Sequence, residues 1–91
     1  MRKKDLIEQV ARKAHLTKKA AEESLETALA EIQKAMVRGE KVILSGFGTF
    51  RVVSVKDKTV IVPKTKEKKI VKSHRAPRFS PGRELKRIIK G

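Results

Sequence analysis

Apolar residues along the first forty positions recur at helical spacing. Leu6, Ile7, Val10, Ala11 and Ala14 share one side of a helical wheel while Glu8, Arg12 and Lys13 take the other, which predicts an amphipathic helix over about residues 3–14. After the break His15-Leu16-Thr17, a second stripe runs through Ala21, Leu25, Ala28, Leu29, Ile32, Ala35 and Met36. Thr17 is suited to cap the first turn of this helix and Gly39 to stop its last, so it should extend from Lys18 to about Val37. Two helices joined by three residues form a hairpin with one shared apolar face.

The period then shortens. Val42-Ile43-Leu44 reads as a short buried strand, Gly46-Phe47-Gly48 as a turn, and Phe50, Val52, Val53 and Val55 as a second strand rich in β-formers. Val60-Ile61-Val62 and Ile70-Val71 flank Pro63-Lys64-Thr65-Lys66-Glu67, a pattern that predicts a long hairpin with its tip near residues 63–66. Ser80-Pro81 has the form of a helix cap followed by proline at the first helical position, with Leu85, Ile88 and Ile89 as the face of a short terminal helix. The expected order is α-α-β-β-arm-β-α. As an α+β fold it combines a helical hairpin, a three-stranded antiparallel sheet, an extended β-ribbon arm and a short C-terminal helix. One domain spans residues 1–91, with a helical half at 1–40, a sheet at 41–80 whose arm covers about 53–75, and the last helix at 81–91.

Charge sharpens this outline. The net charge is +14, a level of self-repulsion for which a polyanion is the expected counterweight. Residues 51–78 hold ten basic and two acidic side chains, whereas residues 1–40 hold nine and seven. The excess therefore sits on the predicted arm. An isolated two-stranded ribbon is marginal in water, and a row of like charges weakens it further. Such a ribbon is built to be held by phosphate. With 91 residues and no cysteine, the chain can bury only a small core and has no disulfide to compensate, so a partner subunit is expected to cover part of its apolar surface. No stretch approaches the roughly 20 apolar residues of a membrane span, and the charged opening Met1-Arg2-Lys3-Lys4-Asp5 lacks the apolar run of a signal peptide. A cytoplasmic location, at the nucleoid, and no membrane partner are the corresponding expectations.

At Gly46-Phe47-Gly48-Thr49-Phe50, and again at Arg75-Ala76-Pro77-Arg78-Phe79-Ser80-Pro81-Gly82, the sequence resembles the HU and integration host factor family of DNA-bending proteins. Asp5-Leu6-Ile7, Leu16-Thr17-Lys18 and Gly39 match in place, and the similarity runs through essentially the whole chain. The resemblance implies an intertwined homodimer, or a heterodimer with a paralogue, whose two arms reach round double-stranded DNA in the minor groove. It also implies that Pro63 is the wedge inserted between base pairs. That mode of binding, and its kinks of about 20–90°, belong to the family and are not read from these residues. The arm tip departs from the family pattern Arg-Asn-Pro-x-Thr-Gly. Ile61-Val62-Pro63-Lys64-Thr65-Lys66 stands there instead, removing the polar groups that would contact the minor groove. Weaker or differently shaped bending and little sequence preference are expected, with lysines contacting phosphate, which positions without specifying.

The residues expected to bind DNA are Arg51, Lys56, Lys58, Pro63, Lys64, Lys66, Lys68, Lys69, Lys72, Arg75 and Arg78 of the sheet and arm, together with Lys3, Arg83 and Lys86 on the helices. Phe47, Phe50 and Phe79, the only aromatics, could stack on bases, but their glycine and aliphatic neighbours favour packing in a core or dimer interface with Leu25, Leu29, Ile32 and Leu44. His15 and His74 lack companions at metal-ligand spacing, and no cofactor is expected; His74 fits better as a pH-sensitive phosphate contact. Ser45, Thr49, Asp57 and Glu84 have no base or paired carboxylate beside them, so no catalytic site is expected. The function read from the sequence is therefore sequence-tolerant binding, bending and compaction of double-stranded DNA. RNA binding, or coating and bridging of DNA without strong bending, is the alternative.

Overall fold

The computed structural model describes the backbone of residues 1–55, 58–61, 68–71 and 73–91, with side chains for residues 1–55 and 73–91. Helix α1 covers Lys3–Lys13 and α2 covers Lys18–Val37. Strands β1 (Val42–Leu44), β2 (Gly48–Val55), β3 (Lys58–Ile61), β4 (Lys68–Val71) and β5 (His74–Pro81) follow, and α3 (Arg83–Lys90) ends the chain. Contacts divide the chain into two units, Met1–Lys34 and Ala35–Gly91.

Local chemistry explains the helix ends of the first unit. The Arg2 backbone N–H donates to the Asp5 carboxylate at 2.8 Å, so an acidic side chain satisfies an orphan donor at the positive end of α1. Thr17 caps α2 as its sequence suggests, its Oγ1 accepting from the Ala20 N–H at 3.0 Å. Between them, α1 closes with the Leu16 N–H donating to the Ala11 carbonyl and with His15 at φ 58. This is a left-handed C-terminal cap built on a residue other than glycine. The core of this unit is Ile7, Ala11 and Ala21, with Val10 and Leu25 packed against it. Two of its three buried members are alanines, so this cluster buries little apolar volume.

In the second unit Gly39 ends α2 at φ +82, and the Glu40 N–H donates to the Ala35 carbonyl at 2.9 Å, the same closing pattern with its usual residue. A sheet in the order β1-β2-β5 follows. The Leu44–Phe47 turn, closed by the Phe47 N–H on the Leu44 carbonyl at 2.9 Å, places Gly46 at φ +82. In the antiparallel pairing Val42 lies opposite Phe50 and Leu44 opposite Gly48; Phe50 lies opposite Phe79 and Val55 opposite His74. The third helix starts later than the Ser80-Pro81 pattern suggests. Ser80 and Pro81 complete β5 opposite Thr49 and Gly48, and Gly82 is the N-cap. The cause is tertiary: β2 offers its edge through Gly48, proline at the strand end costs no ladder donor, and the Gly82 N–H goes to the Phe47 carbonyl at 2.8 Å.

Candidate nucleic-acid interface

A separate ribbon pairs β3 with β4, placing Lys58 opposite Val71, Val60 opposite Lys69 and Ile61 opposite Lys68. Its register continues that of β2 and β5. Val55 to Lys58 is three residues, as is His74 to Val71, so the two ladders have the same pairing offset. In the chain the ribbon strands thus follow β2 and precede β5 with the register of that pair. Lys58, Lys68 and Lys69 hold backbone positions on it. Lys56, Pro63, Lys64, Lys66 and Lys72 lie outside the described residues.

The root of the ribbon has two chemically different faces, because successive strand residues point to opposite sides. On one side Phe50 pairs with Phe79, Val52 with Pro77 and Ser54 with Arg75. The Phe79 ring sits 4.9 Å from that of Phe50 and 5.5 Å from that of Phe47, both tilted. The three aromatics therefore pack on one another, as their glycine-rich surroundings suggest. This cluster leaves Phe47 46% and Phe79 40% exposed, and Leu44 beside it 39%. Of the other residues expected in a core or interface, Leu29 is 41% exposed, and Leu25, Ile32 and Phe50 are half-buried.

On the opposite side Arg51 stands directly across from Arg78. Both are exposed, and among the described residues no carboxylate lies within ion-pair distance of either. Like charges in directly opposed positions destabilise a sheet, so this pair costs stability unless an anion lies over it. His74, exposed and opposite Val55, shares the face. Two separate segments of sequence converge here through strand register alone.

The remaining expected contacts are dispersed. Arg75 belongs to the aromatic face, and its Nη2 donates to the carbonyls of Met36 at 2.9 Å and Val37 at 3.0 Å. Lys3 pairs through Nζ with Glu26 Oε1 at 3.1 Å, both well exposed, a contact of the kind that contributes little in water. Arg83 and Lys86 are exposed on α3. On the same helix Arg87 bonds Glu84. Among the described residues no group of His, Asp or Glu could hold a metal ion, and no helix is long and apolar enough to cross a membrane.

Comparison with known proteins gives this arrangement a family. The family described as Bacterial DNA-binding protein matches residues 1–90. DNA-binding protein HU of Thermus thermophilus is 41% identical over 88 residues, covering 97% of this chain and 91% of that protein. The HU protein of Thermotoga maritima is 38% identical over 90 residues, covering 99% and 100%. In three dimensions the protein in an Anabaena HU–DNA cocrystal structure superposes with a TM-score of 0.90 at 39% identity, covering 98% of this chain and 97% of that one. With the fold, the ribbon and the sequence agreeing from end to end, this chain belongs to the bacterial DNA-binding protein family that includes the HU proteins.

Proposed function

We propose that the chain binds and bends double-stranded DNA as a nucleoid-associated architectural protein, with little sequence preference and without catalysis, working as a homodimer. The observation that carries this reading is the Arg51–Arg78 pair at the root of an in-register ribbon within a segment of ten basic and two acidic residues. A regular polyanion running across that face meets the paired arginines and continues along the arm. Lys56, Lys58, Lys64, Lys66, Lys68, Lys69 and Lys72 supply phosphate contacts there, with Pro63 as the wedge. Exposed Lys3, Arg83 and Lys86 add outlying contacts. The apolar surface on the other side of the sheet suits a second copy of the chain, so that one assembly carries two arms.

Duplex binding measured across a salt series tests this. The log–log slope should be steep, with about 0.9 lost for each phosphate contact removed. Replacing Lys64, Lys66, Lys68 and Lys69 together by alanine should weaken binding on all sequences alike. A flat salt dependence, or folded RNA outcompeting duplex DNA tenfold, would reject the reading. The Ile61-Val62 pair at the arm tip favours a second version, in which the protein coats or bridges DNA without a sharp kink. Ring closure of short duplexes, wild type beside Pro63→Ala, separates the two. Tight binding with no closure by either protein supports coating.

A further inference from the structure

We propose that Arg75 is a positioning residue for DNA bending and not a phosphate contact, its guanidinium fastening the root of the ribbon to the C-terminal end of α2. The proposal rests on the DNA-binding reading above and deepens it. The last turn of any helix leaves carbonyls without intrahelical partners. In α2 the Gly39 N–H takes the Met36 carbonyl and the Glu40 N–H takes that of Ala35. Arg75 Nη2 then donates to Met36 and Val37 together, bringing a positive charge to the negative end of the helix dipole. Arg38, the cation nearest in sequence, turns to Glu40 at 3.2 Å, and that hydrogen bond and charge hold the Glu40 carboxyl below its ordinary pKa.

Register separates Arg75 from the anion-facing arginines. Arg75 pairs with Ser54 and Arg78 with Arg51; the two arginines are three positions apart, an odd spacing, so they occupy opposite faces of the sheet. A duplex lying over Arg51 and Arg78 has the whole sheet between itself and the Arg75 contact. The position is also strategic. Arg75 adjoins His74, whose pairing with Val55 is the final one of the three-stranded sheet before the ribbon pairs begin. Anchoring Arg75 to a helix end therefore constrains the direction in which the strands leave the sheet, and with it the path imposed on bound DNA.

The test combines salt-dependent duplex binding with ring closure of short duplexes at saturating protein, where affinity no longer matters. Arg75→Ala should lower affinity roughly three- to tenfold at every salt concentration, leaving the log–log line parallel to wild type. Ring closure at saturation should drop by roughly threefold or more. Arg75→Lys, which keeps a positive donor facing the negative end of the helix, should restore part of both. Arg78→Ala is the comparator and should flatten the slope by about 0.9 per arginine. If Arg75→Ala flattens the slope as Arg78→Ala does, Arg75 contacts phosphate and the proposal fails. Unchanged ring closure at saturation also overturns it, because a merely structural contact would leave the bend alone. Should Arg75→Ala not fold, Arg75→Gln keeps a donor without the charge, and a flattened slope there overturns the proposal equally. An unchanged slope in Arg78→Ala would instead overturn the assignment of the DNA face.

Discussion

His15 occupies a position that physical chemistry reserves for glycine. Its φ of 58 brings Cβ toward the carbonyl oxygen, a cost of about 1–2 kcal/mol for an L-residue. The chain meets that cost because the turn must close α1 within three residues of the start of α2. Glycine would remove the strain while adding about 0.5–1 kcal/mol of unfolded-state entropy. His15→Gly should therefore stabilise the fold by about 0.5–1 kcal/mol, visible as a higher urea midpoint with an unchanged m-value. A lower midpoint would mean that the imidazole makes a contact worth more than the strain. Arg51 and Arg78 illustrate the opposite case, a local cost aimed at a ligand. Replacing Arg78 with threonine should raise the stability of the free protein by a few tenths of a kcal/mol and weaken its hold on DNA. Loss of stability in that variant would show that the pair is not repulsive.

Among the secondary elements, β2 is the one on which the others depend. It carries β1 on one edge, β5 on the other, and leads into the ribbon. Its first residue has to be glycine for a reason of space. A Cβ on Gly48 would lie 2.5 Å from Phe79 Cζ and 2.7 Å from the Ser80 carbonyl oxygen. The ring could swing aside, but the carbonyl belongs to the β2–β5 ladder and cannot. Gly48→Ala should cost about 1–3 kcal/mol through overpacking and disturb the Phe79 stacking at the same time. Thermal melts together with the aromatic proton shifts of Phe79 would show this. An alanine variant that melts like wild type would mean that the ladder end opens freely.

For the molecule as a whole, the decisive feature is how little it buries. The buried apolar residues among those described are Ile7, Ala11, Ala21 and Ala35, and no large side chain is fully buried. Val37 is 72% exposed, with Phe47, Phe79, Leu29 and Leu44 also open. Exposed apolar side chains of this size are suited to an interface. If a second copy covers it, unfolding is coupled to dissociation, and Tm rises with protein concentration. Melts over a hundredfold concentration range should show that rise, and Leu29→Glu should abolish it while lowering Tm. A Tm independent of concentration would argue for a monomer.

Much of this was legible in the one-dimensional pattern. Helical and strand periodicities placed α1, α2, β1 and the aromatic turn, because each depends on neighbours within about four residues. Thr17 and Gly39 marked the helix ends for the same local reason, and the basic excess of residues 51–78 is a plain property of composition. What required the tertiary structure was everything set by pairing between distant segments. Ser80 and Pro81 resemble a helix start, yet the edge of β2 draws them into a strand. Arg51, Arg75 and Arg78 look alike in sequence, and only strand register shows that two share one face while the third is turned to the end of α2. A chain can encode its own periodicity locally, but which face a side chain takes in a sheet is decided by the strand it meets.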